Sequence, residues 1–554
     1  MRSGRSADLP ASAEGFGEAR RSALRARRRQ VRLGRILAVA FSAALLAPLA
    51  AESTRTAEIN AALRQEEQSH SEIMRTLHFL TDVYGPRLTG SPNAKAAGEW
   101  VVKTMTSWGF ANGHLEPWEF GHPGWQNEHV TAHVVSPIKD QLTVEVLAWS
   151  PGTKGTVTAQ AFQLAPPDRP TPQDLETYFD GIKTQIKGKI VLAGRSVVVP
   201  TRLEPRATRI DEARLRTLYD PNREPSQGRA RGQSQAPLPP MTRAEVNRRI
   251  DDFLLLNGAA LRINDAGREL GQIAAFNNPT YDVTRVVPTV VMRNEDYGRV
   301  ARILSDGTPV TLEFNIVNTT YPDGHTAYTT IAELPGTDKK DQIVMLGGHL
   351  DSWHSATGAT DNAIGCATMM EAMRLLKSIG AKPRRTVRLA LWTGEEHGLL
   401  GSQAYVRQHF GAAEDPKRDH FMLAAYLNLD TGTGRIRGAN VFGPPAAADV
   451  LRSTLAPFAD LGVVGVVANT RRSLGDTDST SFNAAGLPGI NFDQDPIQYE
   501  AATHHTSLDT YERIVEDDVR ASAVVIAATA YELATRDELL PRFDKYTMPA
   551  GSWR

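Results

Sequence analysis

At 554 residues the chain exceeds one ordinary domain and points to two or three. A hydrophobic fraction of 41%, a charged fraction of 23% and a formal net charge of −1 describe a globular protein with no bias toward nucleic acid or an anionic surface. The single cysteine, Cys366, excludes a disulfide framework, and its apolar neighbours Ala363, Ile364, Ala367 and Met370 make it a buried thiol rather than a nucleophile.

The amino terminus departs from this neutrality. Arginines from Arg20 to Arg35 precede an apolar run over 36–49 that ends in small residues near Ala50 and Ala51. That order predicts a secretory signal over 1–51, hence export to a periplasmic or secreted location. About 14 apolar residues fall short of the roughly 20 that span a bilayer, so no stable membrane span is expected after signal cleavage. Helical periodicity follows over 60–83, with Ile73, Leu77 and Leu80 on one face, and again over 94–108. Segments 112–120 and 127–136 have the pattern of strands.

From about 140 to 320 short β-rich pieces alternate with Pro- and Gly-rich turns. Inside this region, 200–245 is rich in Arg, Pro and Gln and reads as an exposed, mobile insertion with solvated arginines. Beyond 325 the pattern becomes strand and helix in alternation. Strands are expected at 343–347, 386–392, 423–429 and 489–492, with helices at 362–379, 401–409, 446–461 and 515–533. Continuous apolar strands between amphipathic helices predict an α/β, three-layer α/β/α sandwich with a mainly parallel sheet.

The chemistry sits where those strands end. His349 and Asp351 follow the first, Asp361 opens the next helix, Glu395 and Glu396 follow the second, Asp430 the third, and His505 precedes the last helix. Imidazole and carboxylate together suit zinc, and a shared carboxylate can hold two ions about 3.5 Å apart. Each piece has a plainer role. His349 and Asp351 fit a structural pair, Asp361 fits a helix N-cap, and Glu395-Glu396 fits an exposed acidic turn. Asp509 is placed to orient His505, while His504 is ambiguous and stays outside the ligand set. Joint order favours a metallohydrolase.

Together Gly85-Pro86-Arg87-Leu88-Thr89-Gly90-Ser91, Gly348-His349-Leu350-Asp351-Ser352, Thr360-Asp361-Asn362, Trp392-Thr393-Gly394-Glu395-Glu396 and His504-His505-Thr506 carry a family likeness. They resemble the zinc-dependent exopeptidase family of secreted bacterial aminopeptidases and carboxypeptidase Q, over about 70 to 535. The resemblance implies two Zn2+ per chain, one held by His349 and Asp430, the other by Glu396 and His505, with Asp361 between them. It makes Glu395 the general base and Asp351 the residue that orients His349, in a hydrolysis of short peptides at one terminus. It further implies that 140–320 is an inserted, β-rich protease-associated domain dividing a catalytic domain of 56–139 and 321–540. One departure stands out: many relatives carry Ser-Asp-His where this chain has Thr477-Asp478-Ser479, so specificity is expected to differ. A one-zinc cyclotransferase and a non-catalytic binding or receptor-like protein on the same fold are the alternatives. The complete ligand set and base speak against both.

Overall fold

The structure, a computed structural model, describes residues 55–203, 209–221, 240–475 and 477–551. The expected signal over 1–51 lies outside the described residues, as do 204–208 and 222–239 of the arginine-rich stretch. Residues 55–62 are helical. Residues 63–554 form a second unit, built on two eight-stranded sheets. Among the described residues no helix is long and apolar enough to cross a membrane.

The first sheet runs, in spatial order, Ala111–Glu119, Thr326–Leu334, Thr386–Trp392, Ile343–His349, Leu423–Leu429, Gly489–Gln494, Ile436–Phe442 and Gly465–Asn469. Its centre is parallel: Ile343–His349 pairs in parallel with both Thr386–Trp392 and Leu423–Leu429, and the latter with Gly489–Gln494. Antiparallel pairs flank that centre. Every residue of Ile343–His349 and Leu423–Leu429 is buried, because helices cover both faces. Ile364–Ser378 and Glu516–Thr535 pack together on one face. On the other, Tyr405, Val406 and Phe482 from helices Leu400–His409 and Ser479–Ala484 close a core with Met345, Trp392 and Tyr426. Gly365 lets the first turn of Ile364–Ser378 press onto the strand ends: a Cβ there would lie 2.4 Å from the Leu429 carbonyl oxygen.

The second sheet takes in Gly124–Ser136 and Thr311–Tyr321 beside a parallel run of Val157–Leu164, Ile190–Ala193, Leu261–Asp265 and Thr289–Met292. Its core includes Trp125, Trp149 and Phe314. Three helices here, Pro172–Ile182, Arg243–Leu256 and Asn294–Ser305, go beyond the β-rich reading of the sequence. Two start with reciprocal capping boxes, Thr171 with Asp174 and Thr242 with Glu245, so the start signals were present. Each buries only a narrow stripe, which weakens the apolar periodicity on which helices are recognised.

The expectation of an exposed stretch with solvated arginines holds for Arg214 and Arg216, but residues 209–221 also make contacts that it did not foresee. Asp211 caps a short helix, Glu212–Leu218, that buries Leu215. Arg209 Nη1 lies 2.9 Å from Asp495 and 2.8 Å from Asp518. The Tyr219 hydroxyl donates to Asp493 at 2.8 Å, and its ring fits over Gly438, where a Cβ would come within 2.3 Å of it. Paired charge and a glycine-floored aromatic contact anchor this segment to the edge of the first sheet.

His354 links the two sheets. Its Nε2–H donates to the Val146 carbonyl at 2.6 Å, and its ring packs edge-on against Trp125. Burial pulls its pKa down to about 4. The folded protein therefore holds His354 neutral, while the unfolded chain protonates it near pH 6.5. Stability is expected to fall as pH drops from about 6.5 and to level off near pH 4, at a cost of ~3 kcal/mol at most from this group. Urea unfolding of metal-free wild type and His354→Gln from pH 7.5 to 4 checks this: the variant should give the flatter profile.

Candidate metal centre

Parallel pairing brings the sequence-predicted residues to one edge. His349 stands opposite Trp392, and Gly347 opposite Asn428, so the residues that follow each strand emerge side by side. Asp361 lies in an irregular turn, Ala359–Ala363, with extended rather than helical angles (φ −134°, ψ 85°). It does not cap the following helix. Asn362 Oδ1 accepts the Gly365 N–H at 2.9 Å instead, which leaves the Asp361 carboxylate to face the centre. His505 holds a left-handed φ of 58°, rare for a residue with a side chain.

Four short contacts define the geometry. His349 Nε2 is 3.1 Å from Asp361 Oδ1 and 3.3 Å from Asp430 Oδ1. His505 Nε2 is 3.2 Å from Asp361 Oδ2 and 3.0 Å from Glu396 Oε2. Each oxygen of Asp361 thus faces a different histidine, which divides the cluster into two halves. Ligand atoms of His349, Asp361 and Glu396 all lie within 4.8 Å of one another. So do those of Asp361, His504 and His505, although His504 Nε2 stands 3.9 Å from Asp361 and its ring stacks on Tyr499.

Surrounding hydrogen bonds specify how Asp351 meets His349 and correct the expectation for Asp509. Asp351 touches His349 mainly through its backbone: the carbonyl is 3.0 Å from Nδ1, the carboxylate 3.6 Å. Its carboxylate accepts from Thr89 Oγ1 at 2.6 Å and from the Glu395 N–H at 3.4 Å. Asp509 does not orient His505; it accepts the N–H groups of Thr360 at 2.6 Å and Asp361 at 3.1 Å, fixing the turn that presents Asp361. Arg87, fully buried, donates to the carbonyls of Leu80, Leu350, Thr357 and Gly358, so the Gly85–Ser91 motif works as a brace.

A polar chain that sequence reasoning missed holds Asp430. Trp392 Nε1–H donates to the Tyr426 hydroxyl, which donates to Asn428 Oδ1; Asn428 Nδ2 donates to Thr477 Oγ1, which donates to Asp430 Oδ2 at 2.7 Å. Phe276, from the second-sheet region, sets its ring 5.5 Å from that of His505 and 5.0 Å from that of Trp353. Trp392 and Thr477 lay in stretches that the sequence singled out, but without these roles, and no motif marked Phe276.

The electrostatics call for a cation. Burial, opposed by His349 and reinforced by neighbouring acids, pushes Glu395 well above the ordinary carboxyl range. Glu396 is driven up by burial and then by Asp361. Burial likewise raises Asp430, and takes Asp478 to about 7. Asp361 is held low, because His349 and the charge of His505 outweigh its burial. Glu396 Oε1 is buried with no hydrogen-bond partner, and Asp361 Oδ2 has only imidazole nitrogens beside it. Unpaired buried carboxylates are costly, whereas divalent metal bound by imidazole and carboxylate removes that cost. The donor set fits zinc.

Comparison with known proteins agrees. Residues 329–530 match the model of Peptidase family M28. Carboxypeptidase Q of Mus musculus is 26% identical over 503 residues, covering 89% of this chain and 91% of that protein. The Homo sapiens protein of that name is 26% identical over 490 residues, covering 87% and 89%. Among solved structures, a peptidase M28 precursor from Shewanella amazonensis shares the fold with a TM-score of 0.60 at 23% identity, covering 89% of this chain and 100% of that one. A zinc aminopeptidase from Bacillus subtilis does so at 0.52 and 18%, covering 86% and 97%. Matched to Peptidase family M28 across residues 329–530 and similar to carboxypeptidase Q along most of its length, the chain is supported as a zinc-dependent exopeptidase of the kind its motifs resemble.

Proposed function

We propose that this chain is a dizinc exopeptidase, exported by its amino-terminal signal, that removes a residue from one end of short peptides. The observation that carries the reading is the two-sided use of Asp361, one oxygen toward His349 and the other toward His505. His349 and Asp430 would hold one ion, Glu396 and His505 the second, and Asp361 both. Bound there, the ions would polarise the scissile carbonyl and lower the pKa of the attacking water.

The protein's own groups do the rest. Glu395 takes a proton from the water as its oxygen bonds to the carbonyl carbon, then delivers that proton to the amine nitrogen as the C–N bond breaks. Asp351 steadies both partners, His349 through its carbonyl and the Glu395 backbone through its carboxylate. Asp509 and Arg87 fix the backbone on either side. The second-sheet region is read as a protease-associated unit that walls the cleft, since Phe276 reaches His505 from it.

Chelator-treated protein is expected to leave a short peptide intact, and two equivalents of zinc to restore cleavage at a terminal bond. Cleavage that persists without metal would overturn the reading. Full activity at one equivalent would favour a one-zinc relative, and zinc uptake with no hydrolysis of any peptide would favour a binding protein.

A further inference from the structure

Residues 541–549 form a strap across the base of the first sheet. Arg542 Nη1 donates to the His420 carbonyl at 3.0 Å, and His420 lies in the turn Arg418–Phe421, just ahead of strand Leu423–Leu429. The Phe543 ring packs edge-on 5.4 Å from that of Phe442, and Arg472 Nη1 donates to the Pro549 carbonyl at 2.9 Å. Asp430 follows the other end of Leu423–Leu429, so the strap lies away from the metal centre.

The two edges of the Arg542 guanidinium differ. Nη1 holds the His420 carbonyl, whereas Nε and Nη2 are buried and have no hydrogen-bond partner. Elsewhere in this protein that second edge meets a carboxylate. Arg293 Nε and Nη2 donate to Asp296 at 2.7 and 2.9 Å, and Arg384 Nε and Nη2 donate to Asp338 at 2.9 and 2.7 Å. Acids near Arg542 in the strap and turn are engaged otherwise. Glu414 accepts from Arg472 at 2.7 and 3.0 Å, and Asp544 Oδ1 accepts the N–H groups of Tyr546 and Thr547, each at 2.9 Å. His420, 6% exposed, also leaves its Nδ1 without a partner. Burial alone pulls the Arg542 pKa down to about 10, so the group keeps its charge at neutral pH.

A buried cation with neither counter-charge nor acceptor is costly, and breaking such a pair costs more than never forming it. The Nε–H and Nη2–H bonds of a guanidinium run parallel, at the spacing of two oxygens on one planar anion. Both nitrogens are buried, which favours a small ligand. We propose that Arg542 binds a small planar oxyanion, a carboxylate or hydrogencarbonate, through Nε–H and Nη2–H, and that this anion fastens the strap to the base of the first sheet. The site is independent of the peptidase reading.

The test is thermal unfolding of zinc-loaded wild type, Arg542→Lys and Arg542→Met in sodium formate, acetate, hydrogencarbonate and chloride at equal ionic strength. Wild type should melt progressively higher with at least one of the three oxyanions than with chloride. Calorimetry should show saturable binding of that anion, at least about 10-fold weaker in both variants. Lysine keeps the charge without the fork, so unchanged binding in Arg542→Lys overturns the proposal. Formate and acetate acting without hydrogencarbonate identify a carboxylate ligand; hydrogencarbonate alone identifies an oxyanion with a proton to offer His420 Nδ1. Anions that bind zinc instead would shift all three proteins alike, and equal shifts overturn the proposal, as does a wild type that melts no higher in any oxyanion than in chloride. Where the variants do not fold, a crystal structure of zinc-loaded wild type grown in the effective anion decides. A planar anion on Nε and Nη2 supports the proposal, and water or protein atoms there overturn it.

Discussion

Glu395→Gln is expected to lower kcat on the order of 10³–10⁴-fold while the protein keeps its full zinc content. The side chain keeps its shape, and the backbone N–H of residue 395 still meets Asp351, so the local turn survives. What is lost is the site that accepts a proton. Without metal, burial and nearby acids hold the Glu395 carboxyl well above its ordinary range, with His349 opposing them. Cations on the neighbouring carboxylates would favour the ionised form, which is the form a base needs. Steady-state kinetics on a short peptide, paired with elemental analysis of the same sample, separates the possibilities. Zinc lost in step with activity would make Glu395 a ligand, and unchanged kcat would remove it from the chemistry.

Much of this site was legible because strand ends leave a strong trace. The runs 386–392 and 423–429 are mostly apolar, and the sheet forms Thr386–Trp392 and Leu423–Leu429 with those bounds. Parallel pairing then puts whatever follows each run at one edge, so order along the chain became proximity in space. Sequence could not say which atom of a neighbour does the work. Asp351 meets His349 through its carbonyl, and Asp509 meets backbone N–H groups rather than His505. Spacing in the chain gives reach, whereas the partner depends on how the backbone turns. The roles of Thr477 and Phe276 were invisible for another reason. Each reaches the centre from a distant segment, with no periodicity or ligand chemistry of its own. The ion pairs of Arg209 lay hidden in a composition that also describes solvated chain.

Asp361→Ala should do what Glu395→Gln does not and empty both halves of the centre. A terminal ligand such as Glu396 serves one half, but the Asp361 oxygens divide between His349 at 3.1 Å and His505 at 3.2 Å. Loss of an outer partner of a metal ligand already costs about 10–100-fold in affinity or activity. Removal of a carboxylate shared by two ions should exceed that for each. Bound zinc is therefore expected to drop from two equivalents to at most one weakly held ion, with turnover below detection. Stability supplies an independent reading. A metal present at about 1,000 times its dissociation constant adds roughly 4 kcal/mol to the folded state. Wild type should melt markedly higher with zinc than with chelator, and Asp361→Ala should show little of that gap. The metal-free proteins are the control, because Asp361 also repels Glu396 and Asp430 while attracting both histidines, so its removal there has opposing effects. If metal-free Asp361→Ala melts lower than metal-free wild type by as much as zinc raises the latter, Asp361 belongs to the fold. If the variant keeps two zinc ions, the bridge is wrong, and His504, whose Nε2 lies 3.9 Å from Asp361, is the next ligand to test.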